Sequence, residues 1–165
     1  MKKLLFLFLC FLAISCSSDY KPDKSISEKI LGKWHFESSA DGGLIKTTPA
    51  SGCALFDYNT YTSDKKLKTE RGYLSAKNEC FTNSTNLSYK IIEYESTIYL
   101  THSYYNLPTD KLETEIKFKI VELSENKLTI QALSIGHYKI FNGVSVYIVD
   151  EYEPINKTIS YYSKN

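Results

Sequence analysis

The sequence predicts an all-β protein, in which about eight to ten short antiparallel strands follow a short N-terminal helix and form an up-and-down barrel or a sandwich. Apolar and polar residues alternate through many short segments, which is the period of strands with one buried face. Turn signals rich in glycine, asparagine, aspartate and serine separate those segments at regular intervals. The 14 tyrosines agree with this class, because tyrosine favours strands.

The helix is predicted at the start of the domain. Ser25 and Glu28 have the S-x-x-E spacing of a capping box, in which each side chain accepts a hydrogen bond from the other residue's backbone N–H. Gly32 ends the helix, as glycine often does. Trp34 and Phe36 then alternate with polar neighbours, which indicates the first strand.

The strand pattern is clearest in the second half of the chain. Within 112–121, Ile116, Phe118 and Ile120 alternate with charged residues, as in a sheet with one solvated face. Asn142-Gly143 is a strong signal for a two-residue hairpin turn. We expect further strands at 54–58, 60–62, 67–74, 87–94, 97–102 and 128–132, with polar loops at 83–86 and 102–110.

The first fifteen residues have the features of an export signal. Met1-Lys2-Lys3 is a short positive segment, and Leu4 to Ile14 follows without a polar residue. That apolar run is shorter than the roughly 20 residues that cross a bilayer, but it fits the core of a signal peptide. We therefore divide the chain into a signal peptide at 1–15, a flexible tether at 16–25 and a single domain at 26–165.

Ala13-Ile14-Ser15-Cys16 resembles a bacterial lipobox. The resemblance implies that the peptide is cleaved before Cys16 and that this cysteine carries lipid, including palmitate, as a membrane anchor. Plain secretion with an unmodified Cys16 is the alternative. Ser17 follows the cysteine, which resembles cargo of the outer membrane, so we expect a lipid-anchored protein of the bacterial cell envelope.

Charge excludes one class of partner. Removal of Lys2 and Lys3 leaves 18 basic residues (20 − 2) against 19 acidic ones, so the remaining chain is nearly neutral. Arg71 is the only arginine, and no basic stripe occurs. Nucleic-acid binding is not expected, because it depends on clustered lysine and arginine.

Two cysteines lie within the domain. An even pair in an oxidising envelope compartment indicates a disulfide between Cys53 and Cys80, and two separate buried thiols are the alternative. Neither cysteine lies in a C-x-x-C pair or beside a histidine, so a metal site at these residues is not expected.

Ile30-Leu31-Gly32-Lys33-Trp34, a helical turn followed by Gly-x-Trp, resembles the opening of a lipocalin-type barrel. It is most similar to the lipocalin-like domains of bacterial envelope lipoproteins, and the turn and strand at 123–130 and the placement of Cys53 and Cys80 are similar too. The resemblance implies a lipocalin-like barrel. We expect Trp34 to be a core residue that closes one end of it. Lipocalins place an arginine from the last strand over this tryptophan, whereas Arg71 lies early in the chain.

No catalytic motif occurs in the chain. His35, His102 and His137 fall on separate strand-like segments, where we expect partly exposed side chains rather than ligands. Phosphate-binding loops, nucleophile elbows and zinc-binding helical motifs are absent from the sequence. We therefore expect no enzymatic activity, no cofactor and no metal.

Two functions are consistent with a small barrel. The first is non-catalytic binding of a small apolar or amphipathic ligand inside it. The second is a protein- or glycan-interaction module with a packed core, which binds through rim loops. Tyr104 and Tyr105, in a predicted rim loop, are the candidate ligand-binding residues, since tyrosine offers an apolar face and a polar tip. The protein partner that such a module would bind is not indicated by the sequence.

Overall fold

An antiparallel sheet of ten strands dominates the computed structural model, which describes residues 23–41, 44–47, 53–106, 111–141, 144–151 and 158–164. The all-β barrel and the short N-terminal helix that the sequence predicts are both confirmed. The elements are α1 (Ile26–Lys29), β1 (Gly32–Asp41), β2 (Leu44–Thr47), a 3-10 helix (Cys53–Phe56), β3 (Tyr58–Tyr61), β4 (Lys66–Leu74), β5 (Cys80–Tyr94), β6 (Thr97–Asn106), β7 (Lys111–Leu123), β8 (Lys127–Phe141), β9 (Val144–Glu151) and β10 (Ile159–Ser163).

The last strand closes the barrel. β10 pairs with β1 along one edge and with β8 along the other, so β1, β3 to β8 and β10 form a closed ring. The two remaining strands extend the ring. β2 pairs with β1 along the same edge as β3, and β9 pairs with β8 along the same edge as β10. The topology is therefore an eight-stranded up-and-down meander, in which the second and the last strand are each interrupted.

One half of the barrel is filled by side chains. Trp34, Tyr61, Leu67, Leu100 and Leu128 are almost completely buried in a single hydrophobic cluster. Tyr89, Ile120 and Ile130 belong to the same cluster, and Ile91 and Phe118 pack against it. The inward-facing side chains of this half are packed against one another and form the hydrophobic core.

Trp34 lies between α1 and the residue that follows β10. Its indole Nε1 donates a hydrogen bond to the Ile30 carbonyl at 2.7 Å, and Ser25 and Glu28 form the predicted capping box one turn earlier. Lys164, directly after β10, lies 4.1 Å from the centre of the indole ring and donates to the Lys29 carbonyl at 2.8 Å. Lys164 thus covers the indole ring of Trp34 at this end of the barrel.

The predicted disulfide is confirmed. Cys53, in the 3-10 helix, is bonded to Cys80 at the start of β5. The helix lies against Gly72 of β4, where any side chain would collide with the Cys53 carbonyl. The Gly72 N–H also donates to the Asp57 carboxylate at 2.8 Å. The 3-10 helix is therefore held on the outer face of β4 and β5.

Three local predictions are wrong. Residues 83–86 were expected to form a polar loop, but they continue β5, where they pair with β4. The predicted strand at 54–58 is a 3-10 helix followed by the start of β3. The predicted loop at 102–110 is β6 as far as Asn106, and residues 107–110 lie outside the described ones. In the first and third cases, cross-strand hydrogen bonds outweigh a composition that is typical of loops.

The ring stacking of Lys164 predicts a stability effect. The core, the barrel closure and the disulfide all lie within 26–164, so residues 23–165 contain a complete hydrophobic core and suit unfolding experiments. We expect Lys164→Ala to lower the free energy of unfolding in urea by about 1–2 kcal/mol, through loss of the cation–π contact and the carbonyl hydrogen bond.

Lys66→Ala is the matched control for this experiment. Lys66 forms only an exposed ion pair with Asp64 at 2.9 Å, so its removal should change stability by less than about 0.5 kcal/mol. Lys164→Arg should retain most of the wild-type stability. Equal effects of Lys164→Ala and Lys66→Ala would contradict the role assigned to Lys164.

Candidate functional site

A group of polar side chains lies inside the barrel, next to the hydrophobic core. The register places Arg71 on the inner face of β4, because Leu67 and Thr69 precede it at a spacing of two and Leu67 is buried in the core. Neighbouring inner positions on β3, β6 and β10 are also polar or aromatic. We call the following residues the polar cluster: Asn59, Tyr61, Arg71, His102, Tyr104 and Tyr162.

Arg71 is held by neutral acceptors. Its Nη2 donates to the Asn59 side-chain oxygen at 3.1 Å, and its Nη1 donates to the carbonyls of Tyr58 at 3.1 Å and Glu70 at 2.9 Å. No carboxylate among the described residues forms an ion pair with it. An arginine has more N–H groups than these three bonds use, so donor capacity remains.

Tyr61 and His102 form a buried pair across the barrel. The Tyr61 hydroxyl and His102 Nε2 are 3.0 Å apart, and both side chains are almost inaccessible to solvent. Burial lowers the pKa of His102 to about 3, and the nearby charge of Arg71 lowers it further in the same direction. His102 is therefore neutral at physiological pH.

The tyrosines of the cluster are neutral too. Burial raises the pKa of Tyr61, Tyr104 and Tyr162, while the positive charge of Arg71 acts against that rise in all three. Hydrogen bonding by the Asn59 side chain also acts against the rise in the pKa of Tyr61 and Tyr162. The polar cluster therefore has one charge, that of Arg71, surrounded by neutral hydrogen-bonding groups.

Beyond Arg71, the inner face of β4 and β5 carries apolar side chains that are exposed to solvent. Tyr73 follows Arg71 at a spacing of two and pairs with Phe81, and their rings stack with centroids 5.6 Å apart. Although both lie on the inner face, Tyr73 is 47% exposed and Phe81 51%. The same holds for Val144 and Val146 of β9, which the register places on the inner face. This half of the barrel is therefore open.

The two candidate tyrosines have different positions. Tyr104 is half-buried on the inner face of β6, within the electrostatic influence of Arg71. Tyr105 points to the other face and is 43% exposed. The structure therefore places Tyr104 with the polar cluster and Tyr105 outside it. Cys16 lies outside the described residues.

The sequence-based interpretation missed most of the cluster. His102 was expected to be partly exposed, but it is buried, whereas His35 and His137 are half-buried as expected. Arg71 was noted only for its solitary occurrence. The alternation Leu67, Thr69, Arg71 is a signal that could have placed its side chain on the inner face.

A second, smaller feature lies on the outside of the barrel. Lys33, His35, Tyr58 and Ser163 line a half-open groove of about 220 Å³. This is below the roughly 300 Å³ that is typical of small-molecule sites. Lys33 already stacks on the Tyr58 ring at 3.7 Å, so we place the candidate site at the polar cluster instead.

Comparisons with known proteins identify no relative: no family model, curated protein or solved structure matches the chain. Within the described ranges, no three potential metal-ligating side chains lie close enough together to hold an ion. Among the described helices, none is both long and apolar enough to cross a bilayer.

The buried pair of Tyr61 and His102 predicts a pH dependence of stability. His102 has a pKa of about 3 in the folded protein and about 6.5 in the unfolded chain, so the unfolded chain binds the proton more readily. Stability is therefore full above pH 6.5 and decreases as the pH falls. We expect a loss of about 2 kcal/mol in the free energy of unfolding between pH 6.5 and 4.5.

The measurement is urea unfolding of residues 23–165 at several pH values, with two variants. His102→Gln cannot titrate, so it should show a flatter profile between pH 6.5 and 4.5. His35→Gln, on the outer face, should keep the wild-type slope. Parallel profiles for the wild type and His102→Gln would show that His102 is not the titrating group.

Proposed function

We propose that this chain is a lipid-anchored protein of the bacterial cell envelope, whose lipocalin-like barrel binds a small amphipathic ligand without catalysis. One observation carries the proposal: a polar cluster with a single charge lies at the inner end of a barrel half whose apolar inner face is open to solvent. The polar cluster would bind the head group, and the apolar inner face would contact the tail.

The energetics of the open half favour such a ligand. Tyr73, Phe81, Val144 and Val146 leave inward-facing apolar surface in contact with water. Its removal from water by an apolar tail would contribute about 25 cal/mol per Å². Ligand sites of this kind combine apolar walls with a few polar groups that fix orientation. The hydrophobic core next to the polar cluster holds those polar groups in fixed positions.

The anchor is the second part of the proposal. It rests on the lipobox-like Ala13-Ile14-Ser15-Cys16 and on the polar residues that follow, which lack the apolar content to fold alone. A cysteine with two or three acyl chains would be held stably at a membrane, whereas a single chain would not. In this arrangement the barrel lies next to a lipid surface, which is a source of amphipathic molecules.

Ligand binding can be tested with residues 23–165. We expect native mass spectrometry of protein from a bacterial host to show a small molecule that leaves on denaturation. We also expect the delipidated protein to bind the neutral fluorescent probe N-phenyl-1-naphthylamine. The double variant Tyr73→Ser/Phe81→Ser should weaken probe binding by about tenfold, because it removes the stacked rings of the inner face.

The control is a second aromatic pair on the outer face. Tyr138 and Tyr147 contact each other with ring centroids 5.0 Å apart, so Tyr138→Ser/Tyr147→Ser removes similar surface from the other side of the sheet. This variant should bind the probe as the wild type does. A bare mass together with no probe binding would contradict ligand carriage.

A protein-interaction module is the second candidate function, and the outer face of β9 favours it. Tyr138, Tyr147 and Val149 expose apolar surface there, and the free edge of β9 has no strand partner among the described residues. Such edges can accept a strand from a partner protein. Loss of partner recovery in Tyr138→Ser/Tyr147→Ser, with unchanged probe binding, would support this candidate.

The anchor predicts lipid attachment at one cysteine. In a bacterial host that is fed an alkyne-labelled fatty acid, the full chain should incorporate the label, and Cys16→Ala should not. Cys10→Ala, within the apolar run, is the matched control and should keep the label. Labelling of Cys16→Ala, or none of the wild type, would contradict the lipoprotein assignment.

A further inference from the structure

We propose that the ligand's head group is a carboxylate and that Arg71 binds it inside the barrel. This inference rests on the proposed ligand-binding function and specifies its chemistry. The expected ligand class is a single-chain amphipathic acid, with its carboxylate at the polar cluster and its tail towards the open end.

The charge of Arg71 is the first step. The side chain is partly buried, and its three hydrogen bonds go to two backbone carbonyls and the Asn59 amide oxygen, none of which carries a charge. No described carboxylate forms an ion pair with it. A cation removed from water without an opposite charge is unfavourable, so an anionic ligand would be stabilised there.

The neighbouring groups favour an anion over other head groups. Tyr104 is half-buried and keeps its proton, so its hydroxyl can donate a hydrogen bond to a ligand oxygen. His102 is neutral and adds no second positive charge. A cationic head group would meet the repulsion of Arg71, and a neutral one would leave its charge uncompensated.

The choice of carboxylate follows from charge and shape. The polar cluster offers one positive charge, which matches a monoanion, whereas a phosphate monoester carries nearly two negative charges. Arginine also binds planar carboxylates through parallel N–H···O bonds. The N–H groups that remain on the Arg71 guanidinium can form such contacts.

The charged groups of β8 and β9 on the inner face lie close to one another. Lys139 of β8 lies 3.8 Å from Asp150 of β9, and His137 lies at the same distance from that carboxylate. A basic and an acidic side chain therefore face each other on this part of the sheet. Arg71 has no such acidic partner among the described residues.

The orientation of the ligand follows from the order of residues on β4. The core residue Leu67 comes first, then Arg71, then the exposed Tyr73 with its partner Phe81. The polar layer thus separates the packed core from the open apolar surface. A single acyl tail that starts at Arg71 would run along Tyr73 and Phe81 towards the solvent.

The test compares three head groups on one tail by isothermal titration calorimetry, with residues 23–165 and each probe below its micelle concentration. The probes are dodecanoate, 1-dodecanol and dodecyltrimethylammonium. We expect the wild type to bind dodecanoate at least about tenfold more tightly than 1-dodecanol, and the cation most weakly. Arg71→Met should remove the preference for dodecanoate over 1-dodecanol.

Lys33→Met is the matched control, because Lys33 is a cation on the outer face of the barrel that stacks on Tyr58. It should keep the preference for dodecanoate. Equal binding of dodecanoate and 1-dodecanol by the wild type would overturn the carboxylate assignment and leave ligand carriage intact. This comparison needs no variant, so it decides the question even if Arg71→Met does not fold. Absence of binding by every probe would overturn both.

Discussion

The pairing of the last strand with the first is the interaction on which the rest of the structure depends. β10 bridges β1 and β8, whose edges would otherwise be unpaired at this end, and so converts an open meander into a closed ring. Closure surrounds Trp34 and its neighbours with side chains from the eight strands of the ring. Lys164 and α1 then cover the end of the ring through contacts with Trp34 and the carbonyl of Lys29.

Two strand interruptions divide this barrel into halves with different properties. The break between β2 and β3 holds the 3-10 helix, which the disulfide and Gly72 fix on the outer face. The break between β9 and β10 leaves β9 paired with β8 alone within the described residues. The residues around Trp34 form a packed core, while inner-face residues such as Tyr73 and Phe81 are open to solvent.

The polar cluster lies where these halves meet, and its chemistry depends on that position. Desolvation keeps His102 and the tyrosines neutral, while Arg71 keeps its charge and binds neutral acceptors. The hydrophobic core around Trp34 fixes the positions of these hydrogen-bonded groups, so a ligand would meet a preformed site with one positive charge. Cations on the outer surface, such as Lys33, are screened by water and would distinguish little between anionic and neutral head groups.

The sequence by itself determined the features that depend on neighbours along the chain. Strand periodicity predicted β7, the Asn142-Gly143 signal predicted the β8–β9 hairpin, and the spacing of Ser25 and Glu28 predicted the helix cap, because each is a local preference of the backbone. Only the tertiary structure decided that Arg71, His102 and Asn59 share one interior and that 83–86 is a strand. Strand register and barrel closure bring residues together from distant segments, and no local pattern records which segments will meet.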